Sequence, residues 1–206
     1  MTSARRLALG TAALALAAVL SLARVPGREG CVVSAVAHLS RTMRLKDRAT
    51  APRDADVDRA VVLDAMLAPG DDARRFDDTR AVELEGFVVA VQVGGWEAVN
   101  CFARDPAHRD THIDLAMSPN APPVARVVAE VTPRWRDAMR EQGVDWSTDA
   151  LRALIGRRVR VRGWLLYDGH HASGTAHSDP LDRNGETNWR ATAWELHPVT
   201  AITLLR

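Results

Sequence analysis

Glu195 and His197 stand two residues apart in the stretch NWRATAWELHPVTAI. Its composition from Ala191 onward is that of a strand. Side chains alternate across a strand, so this pair shares one face while Trp194 and Leu196 take the other. The same rule puts His112 and Asp114 of DTHIDLAM opposite Ile113, Leu115 and Met117. In VVAEVTP it puts Glu130 and Thr132 opposite Ala129 and Val131. The segment RRVRVRGWLLYDGHH ends by delivering Asp168, His170 and His171. Imidazole nitrogens and carboxylate oxygens are the donors that zinc and similar dications take. Two residues at i and i+2 on a strand, about 6–7 Å apart at the backbone, can reach one ion. The pattern therefore predicts a metal site of His112, Glu130, Glu195 and His197, with Asp168, His170 and His171 as further donors. Glu130 and Asp168 are also candidate general bases if a bound metal activates water. The competing reading is an antiparallel sheet that wets one face.

No motif narrows the chemistry further. There is no H-E-x-x-H, no paired C-x-x-C, no P-loop, no G-x-G-x-x-G and no nucleophile elbow. Arg158, Arg160 and Arg162 form a row on one strand face, with Val159 and Val161 on the other. Guanidinium groups suit a polyanion, but a solvated strand balanced by acidic neighbours gives the same pattern. Trp164, Trp189 and Trp194 could stack bases. With 27 basic against 26 acidic residues, the net charge of +1 counts against a dedicated nucleic-acid binder.

These residues need a scaffold of strands. Strand character runs over residues 82–93, with Gly86 marking a bulge or bend, and over 112–117, 124–132, 157–167 and 191–205. Helices are expected over 135–143 and 147–155, the second capped by Ser147 or Thr148 and stopped by Gly156. Asp56 can cap a leading helix carrying Val57, Val61, Leu63 and Leu67, which Pro69-Gly70 would end. Five strands with helices after the third predict a mostly β chain with inserted helices, closed as a small OB-like five-stranded barrel. An open α+β sheet fits the same order.

The apolar run Leu7–Ala23 follows Arg5 and Arg6 and is broken by Arg24, Pro26 and Gly27. This is the order of a secretory signal, and its length also allows an uncleaved anchor. The expected divisions are residues 1–23 as signal peptide or N-terminal anchor, 24–55 as linker, and 56–206 as one barrel domain with its leading helix. Export would put the chain in the periplasm or outside the cell, or tether it by the N-terminal helix. That helix is its one route to a membrane. Cys31 and Cys101 are the only cysteines, and an oxidising compartment permits a disulfide between them. Spacing leaves two free thiols as the alternative.

The blocks GGWEAVNC, RDTHIDL, VVAEVTPRWR, GWLLYDGHH and NWRATAWELHPVTAI together resemble a family of exported bacterial proteins of uncharacterised function. The resemblance spans roughly Val57 to Ile202. It implies that His112, Glu130, Asp168, His171, Asn188, Arg190, Glu195 and His197 belong to shared blocks. It names no reaction. Relatives tend to carry a second cysteine just before Cys101, where this chain has Ala98 and Val99. The leading expectation is a binding module whose polar pocket takes a divalent metal or a small anion, with Asn188 and Arg190 holding the anion at the rim. The alternatives are a metal-dependent hydrolase of phosphodiester-like bonds and a structural envelope or partner-binding protein.

Overall fold

The computed structural model describes residues 41–178 and 188–206. The expected signal or anchor, most of the expected linker, and Cys31 lie outside the described residues. No helix among the described residues is long and apolar enough to cross a membrane.

Five strands close into a barrel: β1 (Ala81–Val93), β2 (Thr111–Ala116), β3 (Val127–Val131), β4 (Arg158–Tyr167) and β5 (Trp194–Leu204), in the order β1-β2-β3-β5-β4. Every neighbouring pair is antiparallel except β3 with β5, which is parallel. The helices are α1 (Arg41–Lys46), α2 (Leu63–Leu67), α3 (Pro133–Glu141) and α4 (Thr148–Arg152). The open-sheet alternative is thereby excluded, and the chain is mostly β.

β1 closes the barrel because it serves two partners. Its first half pairs with β4 and its second half with β2, the change falling at Phe87 beside Gly86. A Cβ on Gly86 would sit 2.6 Å from Leu63 Cδ2 and 2.9 Å from the Ala116 carbonyl, so the close approach needs glycine. The register slips just beyond, between Val88 and Ala90, where the strand bulges.

Alternation sorts the two faces of the strands. Leu84, Ile113, Leu115, Ala129, Val131, Val161, Leu165, Trp194 and Leu196 form one apolar core with Leu63 and Met66. The opposite faces of β2, β3 and the first half of β5 are also buried. That second burial is the departure from a half-wet sheet, and it encloses the polar residues singled out above.

Three expected elements differ. The leading helix from Asp56 is only a 3-10 turn over Asp54–Asp56, and α2 begins at Leu63. Asp58 donates its N–H to the Ala81 carbonyl at 2.7 Å, and its carboxylate accepts from the Ala60 N–H at 3.0 Å. Val57 then bridges Ala81, so this backbone serves the sheet and not a helix. The third strand starts at Val127 because Pro122 and Pro123 cannot donate to a ladder and instead open a 3-10 turn. Residues 41–50, expected within the linker, form a strap packed on the barrel. The indoles of Trp135 and Trp164 donate to the Arg48 and Thr50 carbonyls at 3.1 and 2.8 Å.

Helices α3 and α4 follow their caps. Thr132 accepts from the Trp135 N–H, and Ser147 from the Ala150 N–H. Gly143 and Gly156, both at φ 78°, take the left-handed turns that follow.

Candidate metal centre

β2 and β3 pair His112 directly with Glu130, and the parallel contact of Ala129 with Leu196 brings Glu195 and His197 of β5 beside them. Glu130 lies at the middle. Its Oε1 is 3.2 Å from His112 Nε2, and its Oε2 is 3.0 Å from His197 Nδ1. His197 Nδ1 is also hydrogen-bonded with Glu195 Oε1 at 3.2 Å. Arg190 donates from Nη1 to Glu195 Oε2 at 2.6 Å, with both side chains fully buried. The four residues predicted from strand alternation are therefore one cluster, enclosed and not wet.

Two acids that sequence reasoning missed complete it. The loop between β1 and β2 carries Glu97 and Asp110. Asp110, 1% exposed, brings Oδ2 to 3.8 Å from His197 Nε2. Neither residue belongs to a strand, so no periodicity pointed to them. Gly94 starts this loop and donates to the Asp110 carbonyl at 2.8 Å. A Cβ there would lie 2.7 Å from His112 Nε2, so the imidazole occupies the space that glycine leaves. Cys101 is disulfide-bonded within the same loop, and the chain's other cysteine, Cys31, lies outside the described residues.

The potential donors converge in two overlapping groups. Asp110, Glu130 and His197 can each present a ligand atom within 4.8 Å of the others, as can Glu97, His112 and Glu130. Among the described residues, several of these buried atoms have no hydrogen-bond partner: both oxygens of Asp110, Glu130 Oε2, His197 Nε2 and His112 Nε2. The 3.2 and 3.0 Å approaches of the imidazoles to Glu130 are close, but their directions form no hydrogen bond. Buried polar atoms are normally satisfied, so a group of unsatisfied ones facing each other marks a place for a further species. Nitrogen and carboxylate donors without sulfur suit zinc, manganese or ferrous iron.

The electrostatics agree with a tightly coupled cluster. Burial alone would raise Glu130, but His112, His197 and Lys46 hold its carboxyl well below the usual range. Burial would lower His197, but Glu130, Glu195 and Asp110 more than offset this and keep the imidazole protonated well above its ordinary value. Asp110 is pushed up to about 6, first by burial and then by repulsion from Glu130 and Glu97, against the pull of His197.

The remaining predicted residues take other places. Asp168 binds the strap: its Oδ2 is 2.8 Å from Lys46 Nζ and 3.1 Å from His171 Nδ1. Despite burial, those contacts hold its carboxyl far below the usual range. His171 is raised, chiefly by its bond to Asp168. His170 is exposed and gives Asp168 only its backbone N–H, so its imidazole stands outside the cluster. Asn188 and Arg190 are buried and not at a rim. The arginine row of β4 is met by acids, Arg158 and Arg160 by Glu85, and Arg162 by Asp54. Trp164 is covered by Arg48, and Trp194 packs in the core against Phe76 and Tyr167.

No family model and no curated protein matches this chain, so the functional reading rests on the barrel and its buried cluster.

Proposed function

We propose that this chain is an exported OB-like binding module that holds a divalent metal ion through Asp110, Glu130 and His197. The strand order and the placing of α3 and α4 between β3 and β4 support the OB-like description. The expected N-terminal signal and the disulfide at Cys101 support export. The observation that carries the metal reading is the set of unpartnered, buried atoms on Asp110, Glu130 and His197 within reach of one another. Each unsatisfied buried group costs about 1–3 kcal/mol, more when charged, and a shared dication would remove that cost. Exposures of 1% or less at these residues favour a held ion over one that meets substrate, hence a binding module over a hydrolase.

A small oxyanion on Arg190 is the second reading. Its Nη1 is used by Glu195, while Nε and Nη2, one edge of the guanidinium fork, are buried without hydrogen-bond partners among the described residues. Phosphate should then raise the melting temperature of the protein but not of Arg190→Lys.

The test of the metal reading is elemental analysis of protein purified from the exported fraction without chelator, beside Asp110→Asn/His197→Gln. About one ion per chain, lost in the variant, is expected. Metal-free protein that also fails to take up added zinc or manganese would overturn it.

A further inference from the structure

The two overlapping donor groups share only Glu130. That carboxylate turns one oxygen toward His112 and the other toward His197. A carboxylate so placed can bridge two metal ions about 3.5–4 Å apart. Each half would have its own imidazole and its own acid, Glu97 with His112 and Asp110 with His197.

One half already holds a cation. Lys46, from the end of α1, is buried with its side chain 6% exposed. Its Nζ lies 2.6 Å from Glu97 Oε2 and 2.8 Å from Asp168 Oδ2, within the field of Glu130 and Glu195. Its ammonium thus engages the Glu97 carboxylate that the second half would need as a ligand. His112 Nε2 remains without a hydrogen-bond partner there among the described residues, with its side chain 10% exposed. Asp110 has no lysine or arginine ion pair among the described residues; its nearest charged partner is His197, with Nε2 3.8 Å from Oδ2, and neither of its oxygens is hydrogen-bonded there.

We propose that Lys46 is a tethered cation standing in one of two adjacent metal positions, so that withdrawing the strap converts a one-ion centre into a two-ion centre bridged by Glu130. This rests on the one-ion reading above. The ligands of the second ion would be Glu97, His112 and Glu130, an oxygen-rich set suited to manganese, zinc or ferrous iron. Removing the ammonium frees Glu97 and leaves the buried carboxylates with uncompensated negative charge, which favours entry of a second cation.

The experiment loads full-length, metal-depleted chain with manganese and measures stoichiometry and the electron paramagnetic resonance spectrum. Wild type and Lys46→Arg should bind about one ion per chain and give the six-line pattern of an isolated ion. Lys46→Met should bind about two and give an exchange-coupled spectrum, since the ions would share a carboxylate. Lys46→Gln, with a polar side chain of similar length, should behave as Lys46→Met and serves if the methionine variant folds poorly. His112→Ala in either background should return the count to about one with an uncoupled spectrum. If both neutral variants stay at one ion, or bind a second that is magnetically isolated, the tethered-cation proposal is wrong and the one-ion centre stands. If wild type and variants bind none, the underlying metal reading fails.

Discussion

His197 Nδ1 lies 3.0 Å from Glu130 Oε2, joining strands β5 and β3 through a fully buried imidazole and carboxylate. Glu130→Gln keeps the shape and removes the charge. His197 would lose the strongest of the interactions that hold its proton. Metal affinity should fall at least ~100-fold, measured by competition with a chromophoric chelator.

The Arg190–Glu195 pair is buried on both sides. Arg190→Met leaves Glu195 without its guanidinium and should cost about 3–5 kcal/mol in denaturant unfolding. Arg190→Met/Glu195→Gln should recover a substantial part of that loss, because an unpaired buried charge costs more than an absent pair. Equal instability of the single and double variants would argue against this account.

The metal-free protein should lose stability as pH rises above neutrality. His197 titrates in the fold well above its ordinary 6.5, so its contribution is fully present below that pH and is lost as pH rises toward the folded value. Asp110, raised from 3.8 to about 6, has the same sign, with ~3 kcal/mol lost across that interval. Glu130 and Asp168 are depressed and act oppositely, but their contribution is complete once pH exceeds the ordinary carboxylate range. Melting temperature in chelator should therefore peak near pH ~5 and decline toward alkaline pH. Saturating metal should flatten the decline, since the ion replaces the same protons.

Gly94→Ala tests the packing of one donor. The added methyl would meet His112 Nε2 at 2.7 Å and the Asp110 carbonyl at 3.1 Å. The imidazole would have to move. Under the tethered-cation proposal, Gly94→Ala combined with Lys46→Met should weaken the second ion more than the first, seen as two separated steps in a manganese titration.

Reduction tests the loop. Glu97 and Asp110 flank Cys101, which is disulfide-bonded and would thereby tether the segment between them. Releasing that tether should lower metal affinity by about 10-fold, with the barrel's circular dichroism unchanged. Unaltered affinity after full reduction would show that the loop keeps its shape unaided.

Alternation along β2, β3 and β5 carried most of what was legible. It grouped His112, Glu130, Glu195 and His197 because a period of two is local, and pairing then brought the faces together. It did not say whether that face is wet, since the cover comes from distant segments. Lys46 lies in a stretch with no strand or long-helix pattern, and Asp110 sits one residue before β2 begins. Asp72 was invisible for the same reason. Its carboxylate binds the Thr192 hydroxyl at 2.8 Å and the Ala193 N–H at 2.7 Å, and so sets the entry to β5. His170 misled because proximity in sequence to Asp168 is not proximity to the cluster. The helix expected from Asp56 failed where apolar spacing fitted a turn but the backbone N–H of Asp58 was claimed by β1.

The parallel meeting of β3 and β5 carries a single register pair, Ala129 with Leu196, whereas the antiparallel seams carry many. The cluster lies across this short seam, with Glu130 on one side and Glu195 and His197 on the other. Where ladder hydrogen bonds are few, charge fastens the barrel shut. Parting of this seam would uncover the candidate ion-binding groups on both strands. Amide exchange along β3 should slow when metal binds, and the ion's residence time should follow how often the seam parts.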